Sequence, residues 1–136
     1  MLPLEFTVLG PPVSQQTADP VRLAEWRAHV RQAASAAIVE GDAPCHDPVE
    51  LVVVYYHDGK AVRIDNDNMV KPIQDALIGL VYRDDNQVLD SRIRRSAIDG
   101  AFRVRNLSPV LAQAFVVGSE FLHVQVRLAP DHAELI

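Results

Sequence analysis

Four carboxylates and one lysine in the middle of the chain have residue types and a spacing that could do chemistry together. Asp65 and Asp67 stand two residues apart, and Asp84 and Asp85 follow after a gap of helical length that contains Lys71. An Asp-x-Asp pair in an extended segment directs both side chains to one side, because strand side chains alternate. Hard oxygen ligands of this kind suit Mg²⁺ or Mn²⁺. We therefore predict a metal site formed by these acids, with the lysine beside it.

The segment between the two acidic pairs is predicted to be an amphipathic helix. At about 100° per residue, its apolar side chains form one sector, while Asp67, Lys71 and Asp75 lie together almost opposite. The apolar sector comprises Met69, Val70, Ile73, Ala76, Leu77 and Leu80. Because Pro72 has no backbone N–H and is comfortable only in a first turn, we expect regular helix from about residue 69 or 70 to 79, capped by Asn68 or Asp67.

An ordered motif in this region resembles the signature of a known family. It reads Asp67-Asn68-x-x-Lys71-x-x-x-Asp75-Ala76-Leu77, followed by Gly79-Leu80-Val81-Tyr82-Arg83-Asp84-Asp85-x-Gln87-Val88. This run is similar to that of the RusA-type Holliday junction resolvases, crossover junction endodeoxyribonucleases of bacteria and phages that cut four-way DNA junctions using Mg²⁺. The resemblance is strong over residues 63 to 95, and the ordered set of residues is far more specific than an isolated Asp-x-Asp.

The resemblance assigns a role to each matching residue. It implies that Asp65, Asp67 and Asp85 bind Mg²⁺, with Mn²⁺ as a possible substitute, that Asp84 is a further acid of the metal site, and that Lys71 is the catalytic lysine. It also implies a homodimer, in which two sites cut two strands of a symmetric junction.

Three positions depart from the family pattern. Asn66 replaces the apolar residue that is usual between the two acids, Ile64 stands where a basic residue or proline is common, and Pro72 replaces a helix former.

The chain carries a net charge of −5, yet its basic residues are clustered. Without the four aspartates of the predicted site, 14 acidic residues remain against 13 basic ones. Six of the 13 basic residues are clustered between residues 83 and 105, namely Arg83, Arg92, Arg94, Arg95, Arg103 and Arg105. Such a cluster can follow a phosphate backbone, and we expect DNA to be bound by Arg63, Arg92, Arg94, Arg95, Arg103 and Arg105. The alternative is that these arginines pair with Asp90 and Asp99 on a solvated face.

Hydrophobic patterning predicts the elements that must position the site. Strands are expected at residues 4–9, 49–56, 87–98 and 121–128, and helices at 20–39, 69–79 and 109–116. We therefore predict an α+β fold in the order β-α-β-α-β-α-β, a RusA-like mixed β-sheet with helices packed on it. Trp26 is expected in the core, and residues 1–136 are expected to form one domain.

The sequence also limits where the protein works. Cys45 is the single cysteine, so no internal disulfide is possible, and no apolar run approaches the roughly 20 residues that span a bilayer. Without a recognisable signal peptide, the expectation is a cytoplasmic protein that does not bind membranes.

Two other functions fit the same residues. A nuclease with relaxed choice among branched or flap DNA substrates would keep the same acids and lysine. A catalytically silent DNA-binding or scaffold protein would use them only as a capped helix with solvated acids, but retention of every matched acid together with Lys71 argues against it. Cleavage of a four-way junction beside linear and forked DNA would discriminate among the three.

Overall fold

A computed structural model of the protein describes residues 1–60 and 63–133. Its elements are β1 (Leu4–Leu9), α1 (Pro20–Ala37), β2 (Val49–His57), α2 (Asn66–Leu77), a 3₁₀ turn (Asp85–Gln87), β3 (Val88–Ala97), α3 (Pro109–Val117) and β4 (Phe121–Leu128). The predicted α+β class with a mixed sheet is therefore confirmed.

The four strands form one sheet in the order β1-β4-β2-β3. β4 pairs antiparallel with both β1 and β2, whereas β3 pairs parallel with β2. The central strand β2 is buried along nearly its whole length, as its continuous apolar run predicts. β3 is an edge strand with exposed Arg92 and Arg94, and charged side chains at an open edge discourage pairing with another chain.

Helices cover both faces of the sheet. The main core joins α1, through Leu23, Trp26 and Val30, to α2 and to one face of the strands. On the opposite face, Tyr56 packs against Phe115 of α3 with ring centroids 4.9 Å apart. Trp26 is 5% exposed, which confirms its predicted place in the core. None of the helices in the described ranges is long and apolar enough to cross a membrane.

The predicted start of α2 was wrong, because the helix begins at Asn66 and contains Pro72 well inside it. Pro72 cannot donate the backbone hydrogen bond that an α-helix would direct to Asn68 O. Gln15 N, in the loop between β1 and α1, donates to Asn68 O instead, at 2.9 Å. A hydrogen bond from outside the helix therefore replaces the missing one, and the proline is tolerated in the interior.

This early start corrects two further expectations. The Asp-x-Asp pair does not lie in an extended segment, because Asp65 is the N-cap residue of α2 and Asp67 lies in its first turn. Asp65 also takes the capping position expected for Asn68 or Asp67, although its side chain makes no capping hydrogen bond.

The remaining elements agree closely with their predicted bounds. β1 and β4 match, α3 begins at Pro109 behind the Ser108 cap, and α1 ends at Ala37, two residues early. A 3₁₀ turn before β3 was not predicted. Residues 61, 62 and 134–136 of the predicted single domain lie outside the described residues.

Candidate active site

Two of the predicted metal ligands lie at the N-terminus of α2. Asp65 occupies the N-cap and Asp67 the first turn, and both side chains are exposed. The partial positive charge of a helix N-terminus favours carboxylates there. Within the described ranges, neither carboxylate takes part in a hydrogen bond or an ion pair. Their oxygen atoms are therefore available to a ligand.

Lys71 lies one helical turn beyond Asp67 and joins two further carboxylates. Its Nζ atom is 2.8 Å from Oδ2 of Asp85 and 2.9 Å from Oδ1 of Asp75. Hydrogen bonds to Asp85 and then Asp75 raise the pKa of Lys71. The hydrogen bond from Lys71 has the largest effect on Asp85 and lowers its pKa below the usual range, and the hydrogen bond with Asp84 lowers it further. Lys71 and Asp85 are therefore both charged at neutral pH.

Tyr82 fixes the chain segment that brings Asp85 to α2. Its side chain is fully buried, and its hydroxyl donates a hydrogen bond of 2.7 Å to the backbone oxygen of Gln74. Burial, reinforced by the negative charges of Asp85 and Asp75, raises the pKa of Tyr82, so the phenol stays neutral and can donate. The connection after α2 is thereby attached to the helix that carries Lys71.

Gln87 holds the acidic turn with four hydrogen bonds from a single side chain. Its Oε1 accepts from the backbone N–H groups of Arg83 at 2.8 Å and Asp84 at 3.0 Å. Its Nε2 donates to the backbone oxygens of Cys45 at 2.9 Å and Asp47 at 3.0 Å. Sequence analysis gave Gln87 no role, although its position three residues after Asp84 is the spacing of a capping box.

Asp75 and Arg27 are two further residues of this network that sequence analysis did not assign to the site. Arg27 Nη2, from α1, lies 3.6 Å from Oδ2 of Asp75 and 3.3 Å from Oε1 of Gln15. The spacing of four residues between Lys71 and Asp75 was the available signal for the acid, since such residues are neighbours on a helix. No local pattern in α1 pointed to Arg27.

The four predicted acids are only partly assembled. Asp65 and Asp67 share one end of α2, and Asp85 reaches the same helix through Lys71, but the Asp84 carboxylate caps the 3₁₀ turn by accepting from Asn86 N at 3.1 Å. Among residues 1–60 and 63–133, no three His, Cys, Asp or Glu side chains are close enough to hold one metal ion. The donor set is nevertheless chemically suited to a hard cation, because it consists of carboxylates with unused oxygen atoms.

Comparison with known proteins identifies the family of this chain. The family model for endodeoxyribonuclease RusA matches residues 11–105, which is more than two thirds of the chain and includes α1, β2, α2, the acidic turn and β3. The chain belongs to the RusA family. Membership indicates an endodeoxyribonuclease that acts on Holliday junctions. Among curated proteins, none matches the chain.

A basic groove opens beside Asp65 of this RusA-family protein. The groove, of about 560 Å³, is lined by Arg22, Lys60 and Arg63 together with polar side chains of the loop after β1, including Gln16. Sequence analysis predicted only Arg63 as a DNA contact here. Arg22 lies on α1, far in sequence from the predicted arginines, whereas Lys60 was missed although it lies three residues before Arg63.

The other predicted DNA-binding arginines are divided between the two faces of the sheet. Arg95 lines a second cavity of about 560 Å³ with Arg63 and Tyr55, and its Nη1 donates to Ile64 O at 2.9 Å. Arg94 borders this cavity and also a third one, of about 600 Å³, on the α3 face. That third cavity is the one lined by Arg103 and Arg105. Arg92 is exposed on β3.

The alternative reading of these arginines, as partners of nearby acids, finds no support in the described part of the chain. No ion pair there joins them to Asp90 or Asp99. Oδ2 of Asp90 instead lies 2.6 Å from Nε2 of His132. The arginines therefore remain available to an anionic partner.

Proposed function

We propose that this protein is a Mg²⁺-dependent endodeoxyribonuclease, able to use Mn²⁺, that resolves four-way DNA junctions by phosphodiester hydrolysis. The observation that carries the proposal is that Asp65, Asp67 and Lys71, all matched to the RusA signature, lie on α2 or at its N-cap in a chain that belongs to that family. Asp85, the fourth matched residue, contacts Lys71. RusA-type resolvases are in general metal-dependent nucleases, and the choice of Mg²⁺ is part of the proposal.

Asp65, Asp67 and Asp85 are the residues that would hold the metal, with Asp84 as a further ligand or as a partner that orients Asp85. A bound Mg²⁺ would supply an activated water and neutralise charge on the scissile phosphate and the leaving 3′ oxygen. Support comes from the unpaired carboxylates of Asp65 and Asp67 in the described residues. Asp85 could act as a ligand through Oδ1, or through Oδ2 after giving up its contact with Lys71.

Lys71 would stabilise the charge that develops on the phosphate during cleavage. Its ammonium is a compact charge that can donate to a phosphate oxygen, and its pKa is raised, so it remains charged over the working pH range. In the structure, Asp75 and Asp85 both contact this charge. Release of Asp85 to the metal would turn one side of the ammonium toward the substrate.

DNA would approach through the groove beside Asp65. Arg22, Lys60 and Arg63 line it, and we propose that they contact phosphates flanking the cut. Arg92, Arg94 and Arg95 would extend this contact along the sheet edge, and Arg103 and Arg105 would do so on the α3 side. Because every phosphodiester presents the same chemistry to the metal, junction preference must come from such a surface.

A homodimer follows from the symmetry of the substrate. One chain carries one set of these acids, whereas resolution of a four-way junction requires matched cuts in two strands. Two copies related by a two-fold axis would place two sites in equivalent positions. A DNA-resolving enzyme of this kind would work in the cytoplasm as one domain spanning residues 1–136.

The test is cleavage of a labelled four-way junction with Mg²⁺ or with EDTA, beside linear and forked DNA, with sedimentation of the free and bound protein. We expect Mg²⁺-dependent cutting of the junction by a dimer, and no cutting by Asp85→Asn. Equal cutting of all three DNAs would make it a relaxed nuclease. Binding of the junction without cutting under any condition would make it a silent DNA-binding protein.

A further inference from the structure

Asp75 occupies a position that the helix dipole disfavours for an acid. It lies in the last turn of α2, which ends at Leu77, and the partial negative charge of a helix C-terminus disfavours a carboxylate. It is nonetheless only about one quarter exposed, with a cation on each oxygen. The contacts of Asp75, rather than the helix dipole, therefore account for an acid at this position.

The two oxygens of Asp75 contact cations from different helices. Oδ1 is 2.9 Å from Nζ of Lys71 on the same helix, and Oδ2 is 3.6 Å from Nη2 of Arg27 on α1. Arg27 is itself held, because Nη2 also donates to Gln15 Oε1 at 3.3 Å. Asp75 is thus held from the α1 side while it faces Lys71.

Asp85 is the other partner of Lys71, and it is also one of the proposed metal ligands. If Asp85 turned to a metal ion, Lys71 would keep a single partner in the described structure, Asp75. A lysine side chain has four flexible carbons and loses considerable rotamer freedom when fixed. Without a second anchor, the ammonium would be free to leave the position where it can meet a phosphate.

We propose that Asp75, supported by Arg27, is a positioning residue that keeps the Lys71 ammonium at the site once Asp85 is engaged elsewhere. The inference rests on the proposed function, in which Lys71 meets the scissile phosphate. It assigns Asp75 no contact with DNA or metal. Its effect on cleavage must therefore pass entirely through Lys71.

A double-mutant cycle on cleavage tests this dependence. Asp75→Asn should lower the single-turnover rate by about 10- to 100-fold while leaving junction affinity in EDTA and the melting temperature nearly unchanged. In a Lys71→Ala background the same substitution should have no further effect, because the group that it positions is gone. Asp75→Glu should restore part of the rate, and Glu25→Gln, at an exposed acid of α1, should cost nothing.

A second measurement does not depend on cleavage. The side-chain ammonium of Lys71, followed by ¹⁵N NMR with and without Mg²⁺, should stay ordered with the metal in the wild type and become mobile in Asp75→Asn. Additive effects in the cycle, or an ammonium signal unchanged by Asp75→Asn with Mg²⁺ present, would overturn the inference. A wild-type protein that cuts no junction would instead refute the proposed function, and the NMR comparison would still decide the role of Asp75.

Discussion

Replacement of Lys71 by methionine separates a chemical role of this lysine from a structural one. Methionine keeps the apolar stem and a good helix propensity but removes the ammonium. Among the described residues, that ammonium contacts only the partly exposed carboxylates of Asp75 and Asp85, and the Lys71 side chain is 42% exposed. The substitution therefore leaves the packing of α2 against the core unchanged.

The magnitudes of the two effects differ clearly. An exposed pair four residues apart on a helix, such as Lys71 with Asp75, contributes about 0.3–0.5 kcal/mol to stability, and a surface contact with Asp85 adds little. The melting temperature should fall by only about 1–4 °C. Loss of a group that stabilises transition-state charge costs about 100- to 1000-fold in rate, or roughly 2.7–4 kcal/mol in activation free energy.

Single-turnover cleavage of a four-way junction, measured beside thermal unfolding, compares the two effects in one sample. Lys71→Arg is the informative second variant, because it keeps the charge but presents a planar fork, and it should recover only part of the rate. The reasoning fails if Lys71→Met cuts at the wild-type rate. It also fails if activity falls only in proportion to the folded fraction.

Three shorter predictions concern the residues around this lysine. Gln87→Ala should lower both cleavage and thermal stability, because it leaves four backbone groups at the acidic turn without their hydrogen-bond partner. An unchanged melting curve would contradict this structural role of Gln87. Lys71 holds the pKa of Asp85 low, so this pairing is present above the usual aspartate pKa and is lost as pH falls through the lowered value. In Lys71→Ala, a carboxyl ¹³C titration should therefore find the pKa of Asp85 higher than in the wild type. Arg22→Ala should weaken junction binding and reduce the salt slope by about one, whereas Arg127→Ala, at the far end of the sheet, should change neither.

Most of the fold could be predicted because its signals are local. β2 has a continuous apolar run, β1 and β4 alternate, and the pair Ser108-Pro109 marks the cap and the first residue of α3. Each of these patterns reports burial or capping over a few residues. The 3₁₀ turn before β3 escaped prediction because it is only three residues long and its main support, the Gln87 side chain, reaches back to residues 45 and 47.

Helical periodicity predicts only the part of the candidate site that lies on α2, and Asp84 and Asp85 were assigned to the site from the pairing of acids and the family resemblance. The common face of Asp67, Lys71 and Asp75 follows from helical periodicity, but the contact from Arg27 requires knowledge of how α1 crosses α2. The same limit applies to Arg22, which reaches the groove at Asp65 from α1. Long-range partners of this kind leave no periodic trace in the sequence.

Pro72 in α2 shows how a long-range contact can override a local sequence pattern. Taken alone, Pro72 predicts that a helix starts at about residue 69, and that expectation placed Asp65 and Asp67 in an extended segment. In the folded chain, the carbonyl of Asn68 that Pro72 leaves unbonded accepts the N–H of Gln15. The loop that makes this bond also directs the Gln15 side chain to Arg27, the residue that holds Asp75. The missing hydrogen bond of the helix is therefore the point at which the β1–α1 loop attaches to α2. This tertiary contact makes a helix-breaking residue compatible with the candidate site.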